Sequence, residues 1–591
     1  MPNNNSRFKN DWTLMFFFAS DNRLAPLLVS ELKAIKDAGF QEDTEVLVYY
    51  DPLEKGCPTK IYNVNNERKA RRKNKNKPKS EIGDGNDSYV RKMDEDEVDP
   101  KNFSARMRDA MASSTVPAHE MLRYFVDYVT TRHKARNYML FLIGHGMIVG
   151  RDIFLPDDDP VSAVSMSQLQ QIMKKFVHGG KTSLQLLCLH SCSMSSIEVA
   201  YQLRGTANYM MAHQGPAFVN SWNYRQVLKK IFNTIDTEKR QINVQRLIEK
   251  LYYHCLHNAT DFLSAGYSAD LALYSLQKDK LARIRTPIQL LVQRLKENLP
   301  GVKRKDNLPG RSIIKDLILL AHWESQSFWE ENYTDLYDFC FCLSRRCNDA
   351  IALYGKKGLP VSKLNQVRVA CDGVIKVLSI IKSDNRAARF RGLIIHAGNF
   401  GTKYQYARGL SIYFPWCEPL DDEPWTSERQ NGQSRSKPKG RNQKIIEGYK
   451  SYDFNKGVNS WWSFLDSYFK ETKRASRWKE NPQELTVRGA RRLLSEAISE
   501  FNVDGSLGTR TPDVGTRTPD TGLDCTCPTI KNYPTDEKKY TIAEKKSRTA
   551  KKKSRTAKKK HLIRKVRKFS ITPDALRAFR PDVTEDNDTG G

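Results

Sequence analysis

The chain has 591 residues, which is too many for one hydrophobic core and predicts two or three domains. Its apolar content of 39% excludes a wholly disordered protein, and no apolar run reaches the roughly 20 residues that cross a bilayer. The formal net charge of +29 is typical of a nucleic-acid-binding protein, so the distribution of that charge matters.

The positive charge is concentrated in three segments that are poor in apolar residues. Together, residues 68–79, 435–444 and 538–568 carry 28 of the 29 net charges. Their composition predicts mobile loops or a tail rather than a folded basic face. They could be solvated linkers, contacts for nucleic acid or another polyanion, or sites of self-cleavage. The remainder of the chain is almost neutral.

The first part of the chain alternates strands and helices. Apolar, β-rich strands are predicted at 13–19, 44–50, 138–143, 183–189 and 209–212, and helical periodicity lies between most of them. Continuous apolar strands that alternate with helices predict an α/β domain with a mostly parallel sheet covered on both faces. We assign this core to residues 8–235, with a basic and acidic surface insertion at 64–100.

The later parts of the chain have a different pattern. Residues 236–480 predict a mainly helical accessory domain that includes a strand near 407–415. Residues 481–591 predict a helix followed by a disordered basic tail.

The cysteines and the N-terminal sequence bear on the compartment. The 11 cysteines are scattered and include no C-x-x-C pair, which indicates free thiols rather than a disulfide framework or a zinc site. Thiols of this kind favour a reducing environment, and no secretory signal is visible. The sequence therefore predicts a cytoplasmic protein without a membrane contact, and it carries no signal for an oligomeric state.

Two reactive side chains follow predicted strands at their carboxyl ends. His145 stands between two glycines after strand 138–143, and Cys192 follows strand 183–189, where a helix is predicted to open. Ligands bind at this edge of a parallel sheet, and a helix N-terminus lowers the pKa of a thiol. Either residue alone is more often structural. Together they predict a cysteine nucleophile with a histidine acid–base.

An ordered set of motifs resembles the clostripain-like cysteine peptidases of the caspase-like clan. The matching segments are DWTLMFFFASDNRL (11–24), LIGHGM (142–147), CLHSCSMSSIEVAYQL (188–203), MAHQGP to WNY (211–224), YTDLYDF (333–339), RGLSIYFP (408–415) and Tyr449 to Trp461. The resemblance covers residues 11–470. It implies a caspase-like sheet, a protein or peptide substrate and no required cofactor.

The resemblance also implies the role of each residue at the site. Cys192 would attack the carbonyl carbon of a peptide bond, and His145 would protonate the leaving amine. The backbone amides of Gly146 and Cys192 would form the oxyanion hole. His190, Asn220 and Trp222 would belong to the substrate pocket.

The pocket departs from the family pattern at one position. Family members usually have Asp two residues before the cysteine, where it helps to accept Arg or Lys, and here that residue is His190. A buried cation needs a carboxylate partner, so selection of Arg or Lys loses its main physical support. His190 could instead favour a neutral or acidic side chain, or cap the strand. An acid from another loop could restore the pocket.

Three adjacent carboxylates lie between the two candidate catalytic residues. Asp157, Asp158 and Asp159, with Asp152 nearby, could hold calcium, or they could form a solvated loop.

Two classes of function remain open. The first is a cysteine endopeptidase, which could process itself or act as a regulated defence protease. The second is a catalytically idle caspase-like scaffold whose basic tail binds nucleic acid or another polyanion. The presence of both His145 and Cys192 favours the first class.

Overall fold

The computed structural model describes the greater part of the chain as far as residue 475. The described residues are 10–22, 24–39, 41–51, 59–65, 96–113, 115–146, 152–158, 160–238, 242–258, 267–300, 313–328, 332–354, 361–415 and 445–475. The three basic segments, the predicted tail and Asp159 lie outside these residues.

The described strands form one large sheet and three small ones. They are β1 Asn10–Phe18, β2 Thr44–Tyr50, β3 Lys60–Asn63, β4 Ala135–Ile143, β5 Phe154–Asp158, β6 Val161–Val164, β7 Val177–His178, β8 Lys181–Thr182, β9 Leu184–His190, β10 Tyr209–Ala212, β11 Ala269–Ser275, β12 Ser327–Phe328, β13 Tyr333–Asp335, β14 Ile394–Phe400 and β15 Ser411–Tyr413. The large sheet has the order β14-β11-β10-β9-β4-β1-β2-β3. Strands β2, β1, β4, β9 and β10 run parallel, and β3 and β11 are antiparallel to their neighbours. The predicted mostly parallel sheet is confirmed.

The described helices connect the strands and cover the sheet. They are α1 Ala25–Lys36, α2 Ala105–Met111, α3 Ala118–Arg132, α4 Met166–Met173, α5 Ile197–Gln202, α6 Tyr224–Glu238, α7 Val244–Asn258, α8 Lys278–Asn298, α9 Ile313–Glu324, α10 Leu336–Tyr354, α11 Val361–Leu378, α12 Arg386–Arg389, α13 Ile445–Ser451 and α14 Trp461–Ala475. None of these described helices is long and apolar enough to span a bilayer.

The contacts of strand β1 explain why its last five residues, 14–18, are all apolar. On one face, Phe16 stacks on Phe141 of β4 at 4.5 Å and meets the ring of Tyr224 in α6. On the other face, Phe17 stacks on Tyr49 of β2 at 4.3 Å and meets Phe125 of α3. Both faces are therefore covered by helices, which explains the unbroken apolar run.

The register of the parallel strands brings three loops to one edge of the sheet. Ile143, the last residue of β4, pairs with His190, the last residue of β9. Ala212, the last residue of β10, pairs with Leu189 of β9. The segments that follow these three strands therefore leave the sheet side by side, at its carboxyl edge.

The segment predicted to be mainly helical also contributes to the central sheet. Strand β11 pairs with β10, and β14 pairs with β11, although the sequence analysis predicted a strand at neither position. Residues on both sides of the predicted boundary at 235 thus share one sheet. The three-stranded sheet β12-β13-β15 contains the strand expected near 407–415. The division into domains stays a prediction.

Candidate active site

Cys192 lies in a tight loop between β9 and α5. The next residue, Ser193, has a left-handed backbone with φ of 57°, and its N–H donates to the carbonyl of Gly215 at 3.0 Å. Two residues later, Ser195 N–H donates to the carbonyl of His213 at 2.8 Å. A non-glycine residue in this conformation persists only where surrounding contacts hold it. The Cys192 loop is therefore fixed by the segment that follows β10.

The thiol of Cys192 is buried against the backbone of Ala217. Only 8% of the residue is exposed. Its Sγ accepts a hydrogen bond from Ala217 N–H at 3.3 Å and lies 3.7 Å from the Ala217 carbonyl oxygen. Burial raises the pKa of Cys192 to about 11, the Ala217 contact opposes this rise, and the nearby charge of Asp270 adds to it. The thiol is therefore protonated at neutral pH.

The expected lowering of the thiol pKa by a helix N-terminus is wrong. Helix α5 begins at Ile197, five residues beyond Cys192, and its N-terminus is capped by the side chain of Ser196. The dipole effect is confined to the first turn of a helix, so it does not reach the sulfur. Burial then dominates the thiol pKa.

His145 follows β4 and stands directly beside the Cys192 loop. The His145 carbonyl accepts from Leu155 N–H at 3.3 Å, and the residue is half-buried. A Cβ placed on Gly146 would overlap the carbonyl oxygen of Cys192 and lie 2.6 Å from its backbone nitrogen. Only glycine allows this approach. The structure therefore brings together the backbones of the two segments that carry the candidate dyad.

His190 is buried in an aromatic wall beneath the loop that follows β10. Its ring stacks on Trp222 with centroids 4.4 Å apart. Its Nδ1 accepts from the Tyr224 hydroxyl at 2.7 Å, and its Nε2 donates to the Phe218 carbonyl at 2.9 Å. Burial, together with nearby His213, lowers the pKa of His190 to about 3, so the ring is neutral. Both ring nitrogens are used within the protein.

The other two pocket candidates differ in their exposure. Trp222 is fully buried, and its Nε1 donates to His213 Nε2 at 3.0 Å. Asn220 is half-buried with φ of 68°, and its N–H donates to a carboxyl oxygen of Glu31 at 2.6 Å. Burial raises the pKa of Glu31 to about 7, and the Asn220 contact opposes this rise. Of the three candidates, Asn220 has the most exposed side chain.

Gln214 ties the loop after β10 to the second sheet. Its side chain donates to Asp335 of β13 at 2.9 Å and accepts from Gly409 N–H at 2.8 Å. Burial, with the charge of Asp338, raises the pKa of Asp335 to about 7. The motifs YTDLYDF and RGLSIYFP thus meet at one side chain of the active-site region, which explains why they occur together.

The aspartates considered for calcium are arranged differently from a cation site. Asp157 and Asp158 are consecutive residues of β5, so their side chains leave opposite faces of the strand. Asp152 accepts from Met166 N–H and from the Tyr452 hydroxyl, at 2.7 and 3.1 Å. Within the described part of the chain, no group of three or more His, Cys, Asp or Glu could hold a metal ion. Asp159 lies outside that part, and calcium stays a prediction.

The sequence analysis missed several residues that shape this site. The contact made by Ala217 uses backbone atoms, for which the side chain leaves no signal. Asp270 carries a weak signal, because it is an acid within the apolar run ADLALYS. Glu31 is the only acidic residue of helix α1, whose other residues are mostly apolar or basic. A buried acid inside an apolar pattern is therefore the signal that could have found two of them.

Comparison with known proteins identifies relatives of this chain. A model of the clostripain family, peptidase family C11, matches residues 16–384. Clostripain from Hathewaya histolytica is 22% identical over 388 residues, which cover 60% of this chain and 69% of clostripain.

Two solved structures resemble the chain more distantly. One is an inactive zymogen C11 protease from Parabacteroides distasonis, with a TM-score of 0.40 and 16% identity over 69% of this chain and 92% of that protein. The other is a secreted C11 cysteine protease from Bacteroides thetaiotaomicron in complex with an irreversible peptide inhibitor, with a TM-score of 0.40 and 14% identity over 77% of this chain and 99% of that protein. Because both TM-scores are low, the family of this chain is argued from the match to the family model and not from these two structures.

Proposed function

This chain belongs to the clostripain family and is a cysteine peptidase. We propose that it is an endopeptidase, which cleaves peptide bonds in the interior of its substrate proteins with Cys192 as nucleophile and His145 as general acid. The observation that carries this proposal is the contact between Gly146 and the carbonyl of Cys192. Gly146 follows His145 directly, so the segments that carry the two proposed reactive residues touch at the carboxyl edge of the sheet, which supports the proposal.

The proposed reaction has two stages. The thiol of Cys192 passes its proton to His145, and its sulfur attacks the carbonyl carbon of the substrate, so that the carbonyl oxygen becomes negative. The N–H groups of Gly146 and Cys192 stabilise that oxygen. The carbon–nitrogen bond then breaks, and His145 protonates the departing amine. Water hydrolyses the acyl–sulfur bond and restores the thiol.

The buried state of Cys192 bears on activation. A thiol with a pKa of about 11 is a poor nucleophile at neutral pH, because little of it is ionised. We propose that substrate binding displaces the Ala217 backbone from the sulfur and exposes the thiol to His145. The same feature supports the alternative of an idle scaffold, so a cleavage measurement has to separate the two.

The pocket ahead of the cut bond is proposed to lack selectivity for Arg and Lys. His190 is neutral, and its two ring nitrogens form hydrogen bonds with Tyr224 and Phe218, as expected for a residue with a structural role. The carboxyl group of Glu31 has a pKa raised by burial, and it accepts a hydrogen bond from the backbone N–H of Asn220. We also propose that the reaction requires no metal. A cytoplasmic location stays a prediction.

A peptide-library cleavage assay tests the proposal. The natural-sequence protein, Cys192→Ala and the matched control Cys188→Ala are compared, with added calcium and with a chelator. Cys188 is also a buried cysteine, and it lies in strand β9. We expect cleavage by the natural sequence and by Cys188→Ala, and none by Cys192→Ala. Incubation of the full-length chain alone reports self-processing, which should give discrete fragments that Cys192→Ala abolishes.

The outcomes are distinct. Absence of any Cys192-dependent cleavage, with or without calcium, refutes the peptidase mechanism and leaves the idle scaffold. Efficient cleavage after Arg or Lys contradicts the proposed pocket. Activity that disappears with the chelator contradicts the proposal that no metal is required.

A further inference from the structure

Asp270 is a buried carboxylate at the second position of strand β11. Only 2% of the residue is exposed. Its Oδ2 accepts from Gln214 N–H at 2.7 Å, and its Oδ1 accepts from Gly215 N–H at 2.8 Å. A carboxylate that receives two consecutive backbone N–H groups fixes the conformation of that turn, and bonds of this charge-assisted kind are the strong ones.

The turn that Asp270 holds is the one that supports the nucleophile loop. The carbonyl of Gly215 accepts from Ser193 N–H at 3.0 Å, directly after Cys192. Two residues further along the same segment, Ala217 N–H donates to the sulfur of Cys192 at 3.3 Å. Two short routes therefore connect Asp270 to Cys192: one runs through Gly215 and Ser193, and the other runs through Gly215, Pro216 and Ala217.

The approach of Asp270 to the turn is too close for a side chain on Gly215. A Cβ at that position would lie 3.0 Å from Asp270 Oδ1 and 3.2 Å from the ring of Tyr404. The carboxylate thus packs against the backbone itself, and any widening of this contact moves the Gly215 carbonyl away from Ser193. Since Ser193 is left-handed, it depends on such contacts.

We propose that Asp270 is a positioning residue of the active site: its carboxylate holds the Gln214–Gly215 turn, and the turn holds Cys192 for attack. This inference rests on the proposed function only for its kinetic consequence. The effect on the thiol itself follows from the contacts alone.

The charge of Asp270 also acts on the thiol. Burial is the main cause of the raised pKa of Cys192, and Asp270 raises it further. Burial raises the pKa of Asp270 to about 6, against the opposing effect of its two amide partners, so the carboxylate is mostly ionised at pH 7. The other described groups that face Asp270 are Tyr252, Tyr404 and His213. Burial keeps both phenols and the imidazole neutral at that pH.

The test compares Asp270→Asn with two other variants. Glu324→Gln is a matched control, because it breaks another buried acid contact, the ion pair with Arg346, away from the Cys192 loop. Gly215→Ala displaces the same turn but keeps the charge of Asp270. For each protein we measure unfolding, kcat and KM separately, and the pH dependence of Cys192 alkylation by iodoacetamide, read by mass spectrometry of the Cys192 peptide.

Asp270→Asn is expected to lower kcat about 10- to 100-fold with a smaller change in KM, because the nucleophile is misplaced after the substrate binds. Its alkylation midpoint should move to lower pH, since a negative charge near the thiol is removed. Gly215→Ala should also lower kcat. Glu324→Gln should lose stability while its alkylation midpoint and kcat stay as in the natural sequence.

A merely structural role predicts a different pattern. If Asp270→Asn loses stability as Glu324→Gln does, with kcat and the alkylation midpoint unchanged, the proposal is overturned. If Asp270→Asn does not fold, Gly215→Ala decides, because an unchanged kcat in that folded variant also overturns it. If the natural sequence cleaves nothing, the proposed function fails, and an unshifted alkylation midpoint in Asp270→Asn still overturns the role of Asp270.

Discussion

At the scale of single residues, the surroundings of a side chain decide its chemistry at this site. Cys192 and His190 are two residues apart, and both are buried. Burial disfavours the charged form of each, so it raises the pKa of the thiol to about 11 and lowers that of the imidazole to about 3. Neither residue is charged at neutral pH in this state of the protein.

Gly146→Ala is a test of the contact between the dyad segments. The added methyl group would overlap the carbonyl oxygen of Cys192, so one of the two loops has to move. We expect kcat/KM to fall at least about 100-fold, because a displacement near 1 Å is enough for such a loss. Thermal unfolding should show a destabilisation of about 1–3 kcal/mol.

The control for Gly146→Ala is a glycine in a helix. Gly373 lies in α11, where the nearest atom to an added Cβ is 3.8 Å away. Gly373→Ala should leave activity unchanged and stabilise the fold by about 0.5–1 kcal/mol. Full activity in Gly146→Ala would mean that the two loops need not touch for catalysis.

At the scale of secondary-structure elements, the later part of the chain supports the site from two sides. Strand β11 contributes Asp270 beneath the loop after β10, and β13 contributes Asp335 to the side chain of Gln214. Strand β15 docks through Ser411, whose N–H donates to the carbonyl of Ser195 at 3.0 Å. These elements act as a scaffold for the three loops at the sheet edge.

Helix α5 anchors the same scaffold through one buried acid. Glu198 accepts from Tyr413 N–H at 3.0 Å and from the Tyr449 hydroxyl at 2.6 Å. Burial raises the pKa of Glu198, and its partners oppose that rise. Glu198 therefore joins β15 and α13 to the core, which is a structural role.

Glu249→Gln tests the ionic clamp, which is the cluster of charged contacts that joins helix α7 to helix α12 and strand β14. Glu249 of α7 receives Arg386 and Arg389 at 2.6 Å and His396 of β14 at 2.9 Å. Burial alone would raise the pKa of Glu249, but these three partners outweigh it and lower the pKa to about 2. The variant should lose about 1–3 kcal/mol at pH 7, because the clamp is partly buried and two arginines lose their partner.

The pH dependence of that loss has a definite sign. A carboxyl with a lowered folded pKa contributes stability above its unfolded value near 4.5 and loses it as the pH falls toward 2. Urea unfolding should therefore show the difference between Glu249→Gln and the natural sequence shrinking from pH 5 to pH 2. The exposed pair of Lys470 and Asp466 is the control, and Asp466→Asn should change stability by less than about 0.5 kcal/mol. A pH-independent difference for Glu249→Gln would contradict the clamp.

At the scale of the whole molecule, the longest basic segment and the described core occupy different parts of the chain. The described buried apolar core lies within residues 12–469, whereas the longest basic segment begins at 538. The net charge of +29 consequently says little about the site, where burial keeps Cys192 and His190 neutral. The positive charge matters instead for the choice of binding partner, because a polyanion could neutralise it.

Truncation after Ala475 tests that separation. The shortened chain should fold and keep Cys192-dependent cleavage within about threefold, because every described core residue precedes the cut. Binding of heparin, used as the polyanion, should weaken at least about tenfold in the truncated chain. In the full chain it should also fall at least about tenfold between 50 and 200 mM salt. Equal heparin affinity for both chains would exclude the tail as the binding segment.

Patterns in the amino-acid sequence are sufficient to predict the fold class and the positions of the two candidate catalytic residues. The apolar strands, the glycines beside His145 and the order of the motifs are local signals, readable without knowledge of distant contacts. Strand β11 was not predicted, because a short and fully buried, mostly apolar run resembles a buried helical segment. Strand β14 was not predicted, because it is partly exposed and only its first two residues are large and apolar.

The environment of those residues depends on contacts between distant parts of the chain. The thiol is protonated mainly because packing against the Ala217 segment buries it, with Asp270 adding a negative charge nearby, and His190 is neutral mainly because packing against Tyr224 and Phe218 buries its ring. These partners lie between 25 and 78 positions away in the sequence, so no local pattern reports them. Burial and hydrogen bonding set the proton affinity of a group, and both arise when distant segments pack together.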